Sequence, residues 1–481
     1  MGTRQGSAAQ AISELESYLA RSARAHLKFH ELEQESERRG REAVRRALQA
    51  HLDDRGRVCP GAAVVVKDDN GGEARLTHRR RHTRRLISIS GELSLTRWGF
   101  GARGQAFLHP LDAELGLPKR AYSYEYQRRL ARAVICGPFD EAIALMAEMS
   151  GQRIPKRLAE QVVVEVATDF EDFYASREGA SPGAGEILVG AIDCKGIPMV
   201  KPQPAQKVVR RKKGERPNKK KMATVAAVFS QAPHIRKPKD VLDSLFATSA
   251  ATPLKTKRRR PTNKRVWASL SAGKDAFISD VHAEMCRRDP EQHHTWVIVT
   301  DGERALQKRV LQMFKGVTLV LDLPHALEYL WKAAHALHPE GSPEAQAFVY
   351  ERAGRILNGQ SAQVVKGLRQ IVTKRRLRGN KAKALLSAAD YYHANRERMR
   401  YDIYLAKGWP IGSGAVEGTC KCLVRDRFER SGMRWSAPMA EALLRLRATY
   451  LSGDFDEYFA FYVRADQRRL YRKQEWRLTC E

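Results

Sequence analysis

The sequence predicts a mixed α/β core flanked by helical regions, and three observations lead there. Short apolar runs at 186–192, 295–300 and 317–321 each end on an aspartate: Asp193, Asp301 and Asp322. Runs of that length, bounded by turn residues and alternating with amphipathic stretches, suit buried strands. Two stretches that interrupt the core together carry seventeen basic residues against one acidic. Ligand chemistry in open α/β sheets gathers at strand ends, which makes acids recurring there candidates for a site.

Composition narrows the class. At 481 residues, 43% of them hydrophobic, the chain is long enough for about two to four domains and a sizeable core. Its 85 Lys and Arg against 55 Asp and Glu leave a formal charge of +30. Such an excess favours a polyanionic partner, because every phosphate neutralised by a cation releases counterions. A ribosomal or membrane-surface protein shares that balance, but the clustering of the cations favours nucleic acid. The seven cysteines (59, 136, 194, 286, 420, 422 and 480) are odd in number and lack paired spacing. No run has a signal peptide's layout or membrane length, so a reduced cytoplasmic, nucleoid-associated location is expected. Cys420 and Cys422 form only C-x-C and read as two separate thiols.

Residues 1–56 read as a helical region, with 8–52 charged, rich in Ala and Leu, and closed by Gly56. Residues 57–117 read as a small β-containing module: CPGAAVVVK and RRLISISGELSLTRWGF suit strands, and DDNGG a turn. HPLDAELGLP breaks that pattern, and 118–180 are helical from near Ser123. There FDEAIALMAEMSGQRIPKRLAEQVV holds two short amphipathic helices, with Gly151 at the turn and Ile154, Leu158 and Val162 on one face. It reads either as a helix-turn-helix presenting Lys156, Arg157 and Gln161 to a major groove, or as an ordinary helical hairpin.

Residues 181–341 carry the sheet, with five strands expected: 186–192, IPMVKP, KMATVAAVFS, TWVIVT and VTLVLD. KPQPAQKVVRRKKGERPNKKK interrupts them with ten basic residues against one acidic, among them Lys212, Lys213, Lys219 and Lys220. PLKTKRRRPTNKR adds seven and no acid, including Arg258 and Arg259. Such runs read as solvated loops and, beside an acidic site, as grips for a nucleic-acid backbone. Residues 342–407 are helical by pattern, 408–447 return to the core, and 448–481 read as a helical tail.

The stretch GWPIGSGAVEGTCK, 408–421, has the look of a phosphate loop but lacks its chemistry. A P-loop needs Lys then Ser or Thr after its last glycine, and a dinucleotide fingerprint needs glycine where Glu417 stands. AVEGTCKCLVRDRF reads instead as a helix burying Val416, Cys420, Leu423 and Val424, with Glu417, Lys421 and Arg425 on another face.

Carboxylates within a basic surround suit two hard divalent cations that clamp a scissile phosphate. Asp193 could bridge the pair, with Asp301 and Glu417 each taking one ion. Each acid also has a plainer use: Glu417 favours a helix's first turn, Asp322 before Leu-Pro suits an N-cap, and Asp301 before Gly suits a turn.

The series AIDCKGIPM, VIVTDGERAL, LVLDLPHALEYLW, WPIGSGAVEGTCK and SGMRWS resembles the DDE transposases of bacterial insertion sequences, in particular the Kra group. The resemblance spans residues 60 to 460 and is most specific between Asp193 and Glu417. It implies an RNase H-like core with a helical insertion before the final Glu. It also implies Asp193, Asp301 and Glu417 as ligands of two Mg²⁺ ions, for which Mn²⁺ can substitute. Asp322-x-x-His325 resembles a secondary motif of related transposase groups, which implies that His325 touches DNA or orders the site; a helix-face histidine satisfied by its neighbours fits the same residues. The partners implied are double-stranded DNA, at element ends and target, and further copies of the chain at synapsis. Lys421, Arg425, Arg427, Arg430 and Arg434 are the phosphate contacts expected near the site. Members often carry Cys pairs ahead of the PLD element; RWGFGARGQAFLHPLD has none, leaving Cys59 alone upstream, so no zinc is expected. A nuclease or resolvase confined to hydrolysis, and a DNA-binding protein with an unused catalytic core, would carry the same residues.

Overall fold

The computed structural model describes residues 7–22, 27–58, 61–67, 72–102, 104, 107–200, 220–246, 260–412, 414–471 and 476–479. The chain divides into two compact units, Met1–Ala175 with Phe455–Glu481, and Ser176–Asp454.

The first unit opens with helices Ala8–Ser22 and Phe29–Arg57. Gly56 lies inside the second helix instead of closing it. A Cβ there would meet the Thr96 carbonyl oxygen at 2.1 Å, so this glycine serves close packing on a strand. Strands β1 (Ala63–Lys67) and β2 (Glu73–Leu76) pair antiparallel. β3 (His78–Ser88) and β4 (Gly91–Gly101) form a separate two-stranded ribbon. The C-terminal segment is helical over Phe455–Tyr471, but Trp476–Thr479 pairs with β1 as a strand. A four-residue strand takes its identity from its partner edge, which no local pattern announces.

Ser123 caps the helix Tyr124–Cys136 by accepting the Tyr126 N–H. Helices Phe139–Ser150 and Lys156–Val166 follow, with Gly151 left-handed between them at φ 68°. The second helix buries Ala159, Val162, Val163 and Val166. Its stripe differs from the expected one because Pro155 starts the helix at Lys156, leaving buried Ile154 ahead of it.

The second unit is built on five strands: β5 (Ile187–Pro198), β6 (Lys220–Gln231), β7 (Thr262–Ser269), β8 (Trp296–Thr300) and β9 (Thr318–Leu321). Their spatial order is β7-β6-β5-β8-β9. β6 runs antiparallel to both neighbours, while β5, β8 and β9 are mutually parallel. The fold is therefore mixed α/β, as expected, but two strands differ. The first two expected strands are one, because β5 continues past Asp193 and pairs with β6 as far as Pro198 opposite Lys220. β7 begins within the second basic run and continues past its end to Ser269. Its Arg265 is buried and looks like a surface residue until its partner Glu284, at 2.5 Å, is seen.

Near-continuous burial along β5 and β6 marks a sheet covered on both faces. Helix Lys274–Arg288 packs on β5 and β6 with Ile278, Val281 and Met285 buried, and helix Ala437–Ser452 packs on β7. Between β9 and residue 408 lie the helices Leu323–Leu337, Pro343–Leu357, Ser361–Lys374, Gly379–Asn395 and Tyr401–Ala406.

Candidate functional site

Strand register assembles the acids. Ile192 pairs with Thr300, and Thr300 pairs with Leu321. The next residue on each chain segment is an aspartate, so Asp193, Asp301 and Asp322 form one row across β5, β8 and β9. Neighbouring strands lie about 4.8 Å apart. Asp301 and Asp322 stand where β8 and β9 end. Asp193 lies mid-strand rather than at a strand end, because β6 supports β5 beyond the point where β8 stops.

Each carboxylate is differently engaged. Asp193 Oδ1 accepts its neighbour Cys194's N–H at 2.7 Å, and Oδ2 accepts the Cys420 thiol at 3.2 Å. Asp301 Oδ1 accepts the Glu303 N–H at 3.0 Å, a turn that fixes its side chain. Burial pushes the Asp301 carboxyl above its ordinary range; the Glu303 N–H opposes that shift and the Asp193 charge adds to it. Asp322 is 1% exposed and caps helix Leu323–Leu337 through the His325 N–H at 3.2 Å.

The His325 ring stands against the same carboxylate, Nδ1 to Oδ2 at 2.5 Å. That hydrogen bond raises the imidazole to about 9; burial opposes it, and the charges of Asp322 and Asp193 reinforce it. His325 is therefore a cation at neutral pH beside an acidic row. Since its ordinary value is 6.5, its contribution to stability is complete below that pH and is lost as pH rises through about 9. A proton NMR titration should place its midpoint near 9 and return it toward the ordinary value in Asp322→Asn. An unmoved midpoint in that variant would break the assignment.

The helix read from AVEGTCKCLVRDRF is three segments: α-helical Gly414–Thr419, π-helical Cys420–Arg425 and a last turn, Asp426–Phe428. The widened middle abolishes the simple four-residue spacing of Glu417, Lys421 and Arg425. Cys420, Leu423 and Val424 are buried as expected. The Gly414–Thr419 turn packs on β5 and β6, and the Cys420 bond fixes the following turn to Asp193. Glu417 precedes Cys420 by three residues, which brings its backbone to the acidic row. Burial and the Asp193 charge raise the Cys420 thiol and keep it a proton donor. Among the described residues no three His, Cys, Asp or Glu side chains form a metal-binding group; the Glu417 side chain is not among those described.

Among the described residues the cations expected at DNA divide three ways. Lys421, Arg425, Arg430, Arg434 and Arg157 are exposed. Lys220 pairs with Glu429 at 2.6 Å, and Lys156 with Asp140 at 2.8 Å. Arg427 is a correction: it is 1% exposed, its guanidinium lies 4.8 Å over the Trp435 ring, and it serves packing rather than phosphate. Lys212, Lys213, Lys219, Arg258, Arg259 and Cys59 fall outside the described residues.

Three neighbours escaped the sequence reading. Tyr391, from helix Gly379–Asn395, leans on Gly302, where a Cβ would meet its ring at 2.2 Å. It stacks on Tyr329 with centroids 3.8 Å apart. Gln307 donates to the Asp301 carbonyl and to Asn395, each at 3.0 Å, and so ties the helical region to the acidic row. Lys274 pairs with Glu303 on the Asp301 turn. The Asp-Gly after β8 was the one visible signal, read as turn chemistry rather than as room for a tyrosine.

No helix among the described residues is long and apolar enough to cross a membrane. No family model and no curated protein matches the chain. Among solved structures, a chain of the Drosophila P element transposase strand transfer complex is similar over 74% of this chain and 83% of that one, at 10% identity and a TM-score of 0.23.

Proposed function

We propose that this chain is a DNA transposase of an insertion sequence, with an RNase H-like core in which Asp193, Asp301 and Glu417 are the catalytic acids. The observation that carries the reading is the register row, which sets Asp193 beside Asp301 while Cys420 docks the Glu417 helix onto Asp193. The mixed sheet order and the charge of +30 support it.

The donor set fits Mg²⁺: hard carboxylate oxygens on adjacent strands, one held up by burial and by its neighbour's charge. Asp193, Asp301 and Glu417 would hold two such ions, which when bound supply charge stabilisation at the scissile phosphate and activation of the attacking oxygen. The chain's own groups prepare this. Cys420 and the Cys194 N–H orient Asp193, the Glu303 N–H orients Asp301, and His325 tempers the summed negative charge. Exposed Lys421, Arg425, Arg430 and Arg434 face the solvent from the segment that follows Glu417 and would meet phosphates there. Hydrolysis at an element end releases a 3′-OH, whose attack on a target phosphodiester forms one P–O bond as another breaks. No protein-linked intermediate is required.

The test supplies labelled duplexes from the DNA flanking this reading frame, a target plasmid and Mg²⁺. Joined donor–target product is expected. Nicks without joining would replace the proposal with a hydrolysis-only nuclease, and metal-independent binding without turnover would leave a DNA-binding protein.

A further inference from the structure

We infer that the β3–β4 ribbon of the first unit docks on the sugar–phosphate backbone of duplex DNA, with Arg79 and Arg81 meeting phosphates from one face of the ribbon and Arg80 from the other. This inference rests on the reading above only in taking DNA as the polyanion. The ribbon was legible as strands, but none of its cations was expected to bind anything.

The two strands pair over their full length, from His78 opposite Gly101 to Ser88 opposite Gly91. Among the described residues they join no other sheet by hydrogen bonds, and Phe100 is buried with Val64 and Leu76 of β1 and β2. Their ends have different surroundings. At the turn end Leu86, Leu93 and Leu95 are buried with Leu52 and Leu117. At the open end His78, Arg79, Arg80 and Arg81 are all exposed.

Three of the ribbon's other arginines meet carboxylates, two of them sharing one. Arg84 and Arg97 converge on Asp112 at 3.0 and 2.6 Å, and Arg85 meets Glu92 at 2.6 Å. Arg80 and Arg81 meet no carboxylate among the described residues. These two adjacent cations at an exposed end therefore keep their charge for a partner.

Their geometry suits phosphate. Arg79 and Arg81 alternate onto the face that carries Trp98, and their guanidinium groups lie 5.5 and 5.8 Å from its ring. An arginine resting on an indole is held in place, and Arg79 also donates to the Gly61 carbonyl at 3.5 Å, so less side-chain freedom is lost on binding. Alternate residues on a strand recur about every 6.8 Å, close to the spacing of successive phosphates along one nucleic-acid strand. Thr83 and Thr96, 3.0 Å apart through their hydroxyls, continue the polar row. An anionic lipid surface would reward exposed aliphatic side chains at this end, and His78–Arg81 offers none.

The test uses the full chain with R80E/R81E and with the milder R80Q/R81Q, measuring affinity for a random-sequence duplex by fluorescence anisotropy across a salt series. R80E/R81E should bind at least about tenfold more weakly, and in both variants the slope of log K against log salt should flatten by about 2, roughly one for each arginine replaced. Melting curves matching wild type would show that folding is intact. Wild-type affinity and slope in both variants would overturn the inference, as would a loss confined to anionic vesicles. Asp193→Ala separates this from the catalytic reading: if it retains strand chemistry, the active site is misassigned and the ribbon stands. If R80E/R81E binds like wild type, the ribbon fails and the active-site reading stands.

Discussion

Asp193→Ala should lose strand cleavage and joining by at least about 10³-fold while binding duplex DNA as tightly as the wild type. Metal-ion stabilisation of a transferring phosphoryl group is worth several kcal/mol, and each 1.36 kcal/mol is tenfold in rate. Asp193 is placed to contribute most, because it lies beside Asp301 in register and under the helix of Glu417 through the Cys420 bond. The substitution removes the carboxylate that accepts from a buried thiol, a local cost of about 1 kcal/mol that should not unfold a sheet supported by β6 along its whole edge. Asp193→Asn keeps the shape and discards the charge, so it should match the alanine variant in activity and the wild type in melting. Gel-based cleavage and joining assays on flanking-DNA duplexes decide the matter. Retained product formation in both variants would end the assignment.

Glu284→Ala should destabilise the second unit by about 3–5 kcal/mol, lowering Tm by roughly 6–15 °C. Glu284 is 6% exposed on the helix that covers β5 and β6, and it joins Arg265 of β7 at 2.5 Å, Arg287 at 2.7 Å and Arg288 at 2.7 Å. Removing it leaves Arg265 and Arg288, themselves buried, without their shared anion. Burial alone would push the Glu284 carboxyl up, but the charges of Arg265 and Arg288 prevail and hold it at about 2 against an ordinary 4.5. A depressed acid stabilises the fold above its ordinary value, and that contribution is lost as pH falls through about 2. Thermal melts at neutral pH and in acid should therefore converge for wild type and variant only at the acid end. A variant that melts within a degree or so of wild type at neutral pH would show that the arginines find other partners.

Legibility followed the range of the forces involved. A helix start near Ser123, Gly151 as a turn and the apolar strands of β8 and β9 are local matters of hydrogen bonding and periodicity, and each stands where the sequence puts it. β7 escaped because its buried arginine is explained only by an acid on another element. The merger of two expected strands into β5 escaped because Gly196 and Pro198 look like punctuation until β6 is seen to pair through them. Arg427 was misjudged from its charge alone: it falls seven residues after Cys420 and three after Val424, on the buried stripe itself, where Trp435 receives its guanidinium.

By itself the sequence determined an α/β chain of strong positive charge, with aspartates closing three apolar runs and a glutamate opening a late helix. Those are properties of composition and of neighbours in the chain. Only the tertiary structure decided that Asp193, Asp301 and Asp322 share one row, that Cys420 draws the Glu417 helix onto it, and that Arg79 and Arg81 stand over Trp98 while Arg84 and Arg97 are tied to Asp112. Register across strands and pairing between distant side chains depend on which surfaces bury one another, and that is a property of the whole packed unit.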